Sequence, residues 1–192
     1  MDERAAELQR SRVGPVERHD GRIVLADPDP RWPELYARDA ARIRRALGDR
    51  VLGLEHVGST SVPGLPAKPI VDILLVVADP ADEPAYLPAL EAAGYVLRIR
   101  EPDWEQHRML KGPDTDINLH VLGDGSPEIA RMVGFRDRLR ADPEDRARYE
   151  AAKRELAARR WEFVQDYADA KSQVVEEILS RAGGPPSQPG RG

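Results

Sequence analysis

The 192-residue chain has no cysteine. Disulfides, a thiolate zinc site and a cysteine nucleophile are therefore excluded. It has no apolar run approaching the roughly 18 residues of a membrane-spanning helix. Its first residues, Met1-Asp-Glu-Arg, are charged and lack the apolar stretch of a secretory signal. Together these absences lead us to expect a cytoplasmic protein with no membrane partner. Also missing are a Ser-His-Asp hydrolase signature, a glycine loop ending in Gly-Lys-Ser or Gly-Lys-Thr, and a metalloprotease helix. Those enzyme classes are disfavoured. A net charge of −5 argues against nucleic acid as a partner. Aromatic residues are few, and Trp32, Trp104 and Trp161 read as core or rim positions, not base-stacking platforms. Lysine is scarce beside arginine, and none precedes Lys68.

What is present describes a soluble globular domain: 41% hydrophobic and 33% charged residues, with length enough for one sizeable core. We place a single domain at 21–181. A flexible lead-in, 1–20, precedes it, and a Gly/Pro-rich disordered tail, 182–192, follows. Arg22–Ala26 reads as a short strand and Trp32–Leu47 as a helix, since Leu35, Tyr36, Ile43, Ala46 and Leu47 recur at helical spacing. Val51–Val57 and Ile70–Val77 read as strands, the second apolar throughout and so covered on both faces. A helix at Glu83–Ala93 leads to strands at Tyr95–Ile99, Gln106–Lys111 and Ile117–Leu122, the last two a hairpin. From Pro127 the pattern is helical. Asp142-Pro-Glu-Asp marks a helix start, and a break is expected near Arg159–Asp169. The order predicts an α/β (α+β) mixed sheet flanked by helices, with a helical C-terminal layer.

The most informative stretch is Glu55-His-Val-Gly-Ser-Thr-Ser-Val-Pro-Gly-Leu-Pro-Ala-Lys-Pro-Ile-Val-Asp. Gly58 lets backbone donors approach an anion, and Ser59, Thr60 and Ser61 add hydroxyls. Lys68 offers a charge to phosphate. Asp72 opens an apolar strand and needs a partner, either Lys68 or a hard cation such as Mg²⁺. These are parts suited to a triphosphate and its metal.

This stretch, with Asp27-Pro-Asp-Pro-Arg-Trp-Pro upstream and Asn118-Leu-His-Val, Phe135-Arg-Asp-Arg-Leu-Arg and Tyr167-Ala-Asp-Ala-Lys downstream, resembles the GrpB family of the nucleotidyltransferase superfamily. The resemblance covers roughly residues 22–180. It implies a nucleotidyltransferase-like fold in which Gly58 and Ser59 hold the triphosphate and Asp72 is the first metal-binding acid. Leu74 stands where the superfamily has its second acid, and the third has no clear match. The implied activity is metal-dependent transfer of an NMP group from an NTP to a small-molecule or protein hydroxyl, with Mg²⁺ or Mn²⁺. The alternative is a catalytically degenerate module that binds a nucleotide or phosphorylated metabolite.

The remaining candidates follow from position. His120 is read either as a ligand beside Asp72, better suited to Mn²⁺, or as a general base. Asn118 lies two residues earlier on the same strand face. Glu55 and His56 point to opposite faces, so one of them can face the site. Arg108 and Lys111, on a strand and its turn, are candidate phosphate contacts, and Arg136, Arg140, Tyr149, Lys153 and Lys171 are candidate contacts to a second substrate or leaving pyrophosphate if the helices close over the sheet.

Overall fold

The computed structural model describes residues 3–181. The tail expected at 182–192 lies outside them. The described elements are α1 (Glu3–Gln9), β1 (Gly21–Arg22), α2 (Trp32–Leu47), β2 (Gly53–Val57), β3 (Val71–Val77), α3 (Leu87–Ala92), β4 (Val96–Glu101), β5 (His107–Lys111), β6 (Ile117–Gly123), α4 (Pro127–Ala141), α5 (Pro143–Ala157), β7 (Arg160–Trp161), α6 (Val164–Ala170) and α7 (Ser172–Arg181).

Five strands form a mixed sheet in the order β2-β3-β6-β5-β4. Only the central β3/β6 pair is parallel; the other neighbours are antiparallel. This is the mixed sheet flanked by helices that the pattern predicts. Period-2 alternation gives the sheet two unlike faces. Val71, Ile73, Leu75 and Val77 of β3 join Leu54, Leu97, Leu110, Ile117, Leu119 and Val121 on one face, packed on α2 and α3. That is the main core. The other face is divided. Val57, Leu74, Val76 and Leu122 pack under Ile129, Met132 and Val133 of α4. At the start of β3 the same face turns polar, with Asp72 paired in register to Asn118.

The C-terminal helices cover this polar end. Ser126 caps α4, accepting from Glu128 N at 3.3 Å, and Asp142 caps α5, accepting from Glu144 N and Asp145 N at 2.9 and 3.0 Å. The expected helix break falls at Ala158–Phe163. No proline or glycine causes it. There β7 pairs with β1, and Phe163 is buried, so tertiary contacts interrupt the helical run.

Two expectations on elements need correction. The strand expected at Arg22–Ala26 does not join the main sheet. Gly21–Arg22 pairs with β7, and Ala26 bridges Ala67. The helix expected at Glu83–Ala93 is a short 3₁₀ turn at Glu83–Ala85 followed by α3. Within the expected lead-in, α1 buries Leu8 and Arg4 pairs with Asp166 and Asp169 of α6. Residues 11–13 then bond to the outer edge of β4 through Val13 N to Arg98 O and Arg100 N to Ser11 O. A covered edge cannot template pairing with another chain.

Candidate functional site

The candidate site lies at the polar end of the sheet, where the Asp72 carboxylate comes near Lys68 of the glycine loop and Lys171 between α6 and α7. Asn118 Nδ2 donates to Asp72 Oδ1 at 2.9 Å, and His120 Nε2 lies 3.5 Å from the same oxygen. Burial pushes the Asp72 carboxyl up, but His120, Asn118 and the charge of Lys171 outweigh it and hold it below the ordinary range.

Lys171 and Lys68 act on Asp72, and Lys153 lies close enough to feel the charge of Lys171. Lys171 Nζ lies 4.5 Å from the centroid of the Tyr167 ring, and Lys68 Nζ lies 5.9 Å from the same ring. Lys153 Nζ lies 5.2 Å from the Tyr149 ring and donates to Pro66 O. Among the described residues, neither Lys68 nor Lys171 makes a hydrogen bond or ion pair; ring faces solvate them instead. Desolvation, aided by the charge of Lys171, lowers Lys68 to about 8 and Lys153 to about 7. Desolvation also lowers Lys171 to about 8, against the pull of Asp72 and Asp169. Burial raises the Tyr149 hydroxyl to about 12, partly offset by its hydrogen bond with Ser59.

The chain has only four lysines among 29 basic residues, and three of the four meet here. The carboxylates that act on them are Asp72 and Asp169 on Lys171, Asp72 and Asp116 on Lys68, and Glu150 on Lys153.

The hydroxyl loop is less open than its sequence implies. Thr60 Oγ1 donates to Ile70 O, and Ser61 Oγ donates to Gly58 O. Both hydroxyls brace the loop and are not aimed at the site; only Ser59 reaches it, through Tyr149. Gly58 has φ +69° and ψ −176°, a region open essentially to glycine. A Cβ there would lie 2.4 Å from Asp72 Oδ2. Gly58 therefore lets the loop pass directly over the carboxylate. Gly58→Ala is expected to lower stability by about 1–3 kcal/mol, from backbone strain alone. Urea unfolding measures it; an unchanged midpoint would remove this role.

The other expected contacts are placed elsewhere. His56 lies on the opposite face, stacked on Tyr36 at 4.9 Å and bonded to Thr60 Oγ1 at 3.1 Å. Glu55 shares the face of Leu74, but its carboxylate accepts from Arg136 at 2.7 Å, and that arginine also bonds His56 O. Arg136 thereby ties α4 to β2. Arg140 holds Ser61 O at 2.8 Å. Arg108 points to the far face and pairs with Glu83 at 2.7 Å. Lys111 pairs with Asp116 at 2.6 Å. Trp32 is core, and Trp104 and Trp161 pack edge-on against His107 and Tyr167.

These placements bear on the expected metal. Leu74 is fully buried under α4, and the two carboxylates that could replace its missing acid, Glu55 and Asp116, are neutralised by Arg136 and Lys111. Asn118 presents its N–H₂ to Asp72, and its Oδ1 is buried without a donor. A hard cation seeks about six oxygens. One carboxylate and one imidazole beside two unpaired ammonium groups do not fit it.

Sequence reasoning overlooked His107 and Glu101. His107 Nε2 lies 3.0 Å from His120 Nδ1, and its Nδ1 lies 2.6 Å from Glu101 Oε2. The signal was available: the hairpin turn pairs Met109 with His120, so His107 falls on the face of His120 by period 2.

Among the described residues, no helix is long and apolar enough to cross a membrane. The profile described as GrpB protein matches residues 22–181. A UPF0157 protein of Halalkalibacterium halodurans is 60% identical over 92% of this chain and 90% of that relative. The crystal structure of the conserved protein GrpB from Enterococcus faecalis superposes with a TM-score of 0.70 at 27% identity, covering 83% of this chain and 99% of that one. A protein of Mycolicibacterium paratuberculosis named dephospho-CoA kinase is 31% identical over 83% of this chain, which spans only 46% of its length. A profile match over 160 consecutive residues and a relative this similar along nearly its whole length show that the chain belongs to the GrpB family.

Proposed function

We propose that the chain binds the phosphate groups of a nucleotide or phosphorylated metabolite at the Asp72 site, with lysines supplying the neutralising charge. The observation that carries this reading is the placement of Lys68 and Lys171 beside Asp72, with Lys153 beside Lys171, the first two without an ionic partner among the described residues. Burying like charges together is costly. A polyanion offsets that cost when it binds. The dephospho-CoA kinase name of a longer relative adds weight to a phosphorylated ligand.

A second reading is metal-dependent transfer of an NMP group to an acceptor hydroxyl. The proximity of His120 to Asp72 favours it, since the pair resembles part of a ligand set. The missing acids count against it.

Calorimetric titration separates the two. Pyrophosphate and the four NTPs are titrated into wild type and Asp72→Asn, in EDTA and with Mg²⁺ or Mn²⁺. We expect binding in EDTA, and binding about 10-fold tighter to Asp72→Asn, because a like charge leaves the anion's surroundings. Binding that needs metal and is lost in Asp72→Asn would sink the lysine reading and support metal-dependent transfer. No binding under any condition would sink both.

A further inference from the structure

Four side chains are strung across the sheet from β3 to β4. Glu101 Oε2 lies 2.6 Å from His107 Nδ1, His107 Nε2 lies 3.0 Å from His120 Nδ1, and His120 Nε2 lies 3.5 Å from Asp72 Oδ1. With both rings neutral, two N–H groups serve three contacts, and the longest, His120 to Asp72, is the one left over. A carboxylate only accepts, so His107 carries its proton on Nδ1. Neutral His107 then has its lone pair on Nε2, and the next contact requires the proton of His120 on Nδ1. Neutral His120 is left with a lone pair on Nε2. That nitrogen faces Asp72, another acceptor, across a gap longer than an ordinary hydrogen bond. The string thus ends in an unused lone pair at the site.

We infer that Glu101 and His107 are positioning residues that hold His120 in its Nδ1–H tautomer, so that Nε2 accepts a proton from an O–H group bound beside Asp72. The inference rests on the Asp72 site being a ligand site. The donor is the hydroxyl of a phosphorylated ligand, of its acceptor, or of water. When Nε2 takes the proton, the new N–H points at Asp72, and the imidazolium lies between two carboxylates, one direct and one reached through His107. The charges facing this pair from the packed helices and the loop are Lys171 and Lys68, which act on Asp72, and Asn118 donates to the same carboxylate. His107 is buried and its ring lies against Trp104, so water does not compete for its nitrogens.

The test uses ¹⁵N-labelled, full-length, unliganded protein. Long-range ¹H–¹⁵N correlation at about pH 9, where imidazoles are neutral, reports the tautomer of each ring. The chain has four histidines, so the spectrum is assignable. We expect His120 with a protonated Nδ1 and a bare Nε2. Glu101→Ala and His107→Phe, made separately, are expected to shift it toward the Nε2–H tautomer. A wild-type His120 protonated on Nε2 would overturn the inference, and so would a tautomer that neither substitution moves. The wild-type spectrum decides the first point without any variant. No ligand is added, so failure of phosphate binding leaves this measurement intact, and failure here leaves the binding result intact.

Discussion

Lys171→Met is expected to weaken pyrophosphate or NTP binding about 30-fold while raising stability by about 2 kcal/mol. The loss follows from one charge-assisted hydrogen bond, worth about 1.5–3 kcal/mol. The gain follows from removing a desolvated cation that has no ionic partner among the described residues. Methionine keeps the contact with the Tyr167 ring, because its thioether packs well on aromatic edges. Opposite changes in binding and stability mark a residue kept for its ligand. Lys153→Met should weaken binding less, since its ammonium is buried and already donates to Pro66 O. Titration calorimetry and urea unfolding read both quantities. If Lys171→Met lowered stability and left binding unchanged, the lysine would be structural and the proposed site wrong.

The second large effect is on pH. Stability is expected to rise between pH 7 and pH 9.5, by about 3 kcal/mol from Lys153 alone at about 1.4 kcal/mol per pH unit. The folded chain holds this amine at about 7 and the unfolded chain at its ordinary 10.5. Between those values the unfolded state binds the extra proton, so raising pH favours the fold. Lys68 and Lys171, held at about 8, act in the same direction. The rise ends near pH 10. There the tyrosines of the unfolded chain ionise, while Tyr149 is held at about 12 in the fold. On the acid side His56 gives a second slope of the same sign. Desolvation against Tyr36 lowers it to about 4, so stability falls as pH drops from 6.5 toward 4, by about 3 kcal/mol. Urea unfolding from pH 4 to pH 9.5 tests both windows. Lys153→Met should reduce the alkaline slope, leaving the share of Lys68 and Lys171, and should not change the acid one. A flat or falling wild-type profile above pH 7 would show that the lysines are solvated, and the anion site would lose its main support.

The two effects have one origin. On the proposed reading, desolvated cations destabilise the free protein and a bound polyanion offsets that cost. Saturating pyrophosphate is therefore expected to reduce the alkaline slope, because a bound polyanion restores the protons of the three amines. This ties the stability profile to ligand chemistry through the same three residues.

Much of this was determined by the sequence alone. Apolar runs and capping residues act within a few positions, so α2, β3, the β5/β6 hairpin and the start of α5 lie where local pattern puts them. The glycine at position 58 and the acid at position 72 marked the site for the same reason: an unusual backbone position and a polar residue in an apolar strand are visible without a fold. Only the tertiary structure decided which charges meet. Lys68 lies far along the chain from Lys153 and Lys171, and nothing local distinguishes the three from solvated lysines. Packing of α5 and α7 on Val62 and Leu65 of the loop brings Lys68 and Lys171 to Asp72 and Lys153 to Lys171. The same folding gives the carboxylates of Glu55 and Asp116 to Arg136 and Lys111. Electrostatics depends on distance in space and on desolvation, and a linear pattern contains neither.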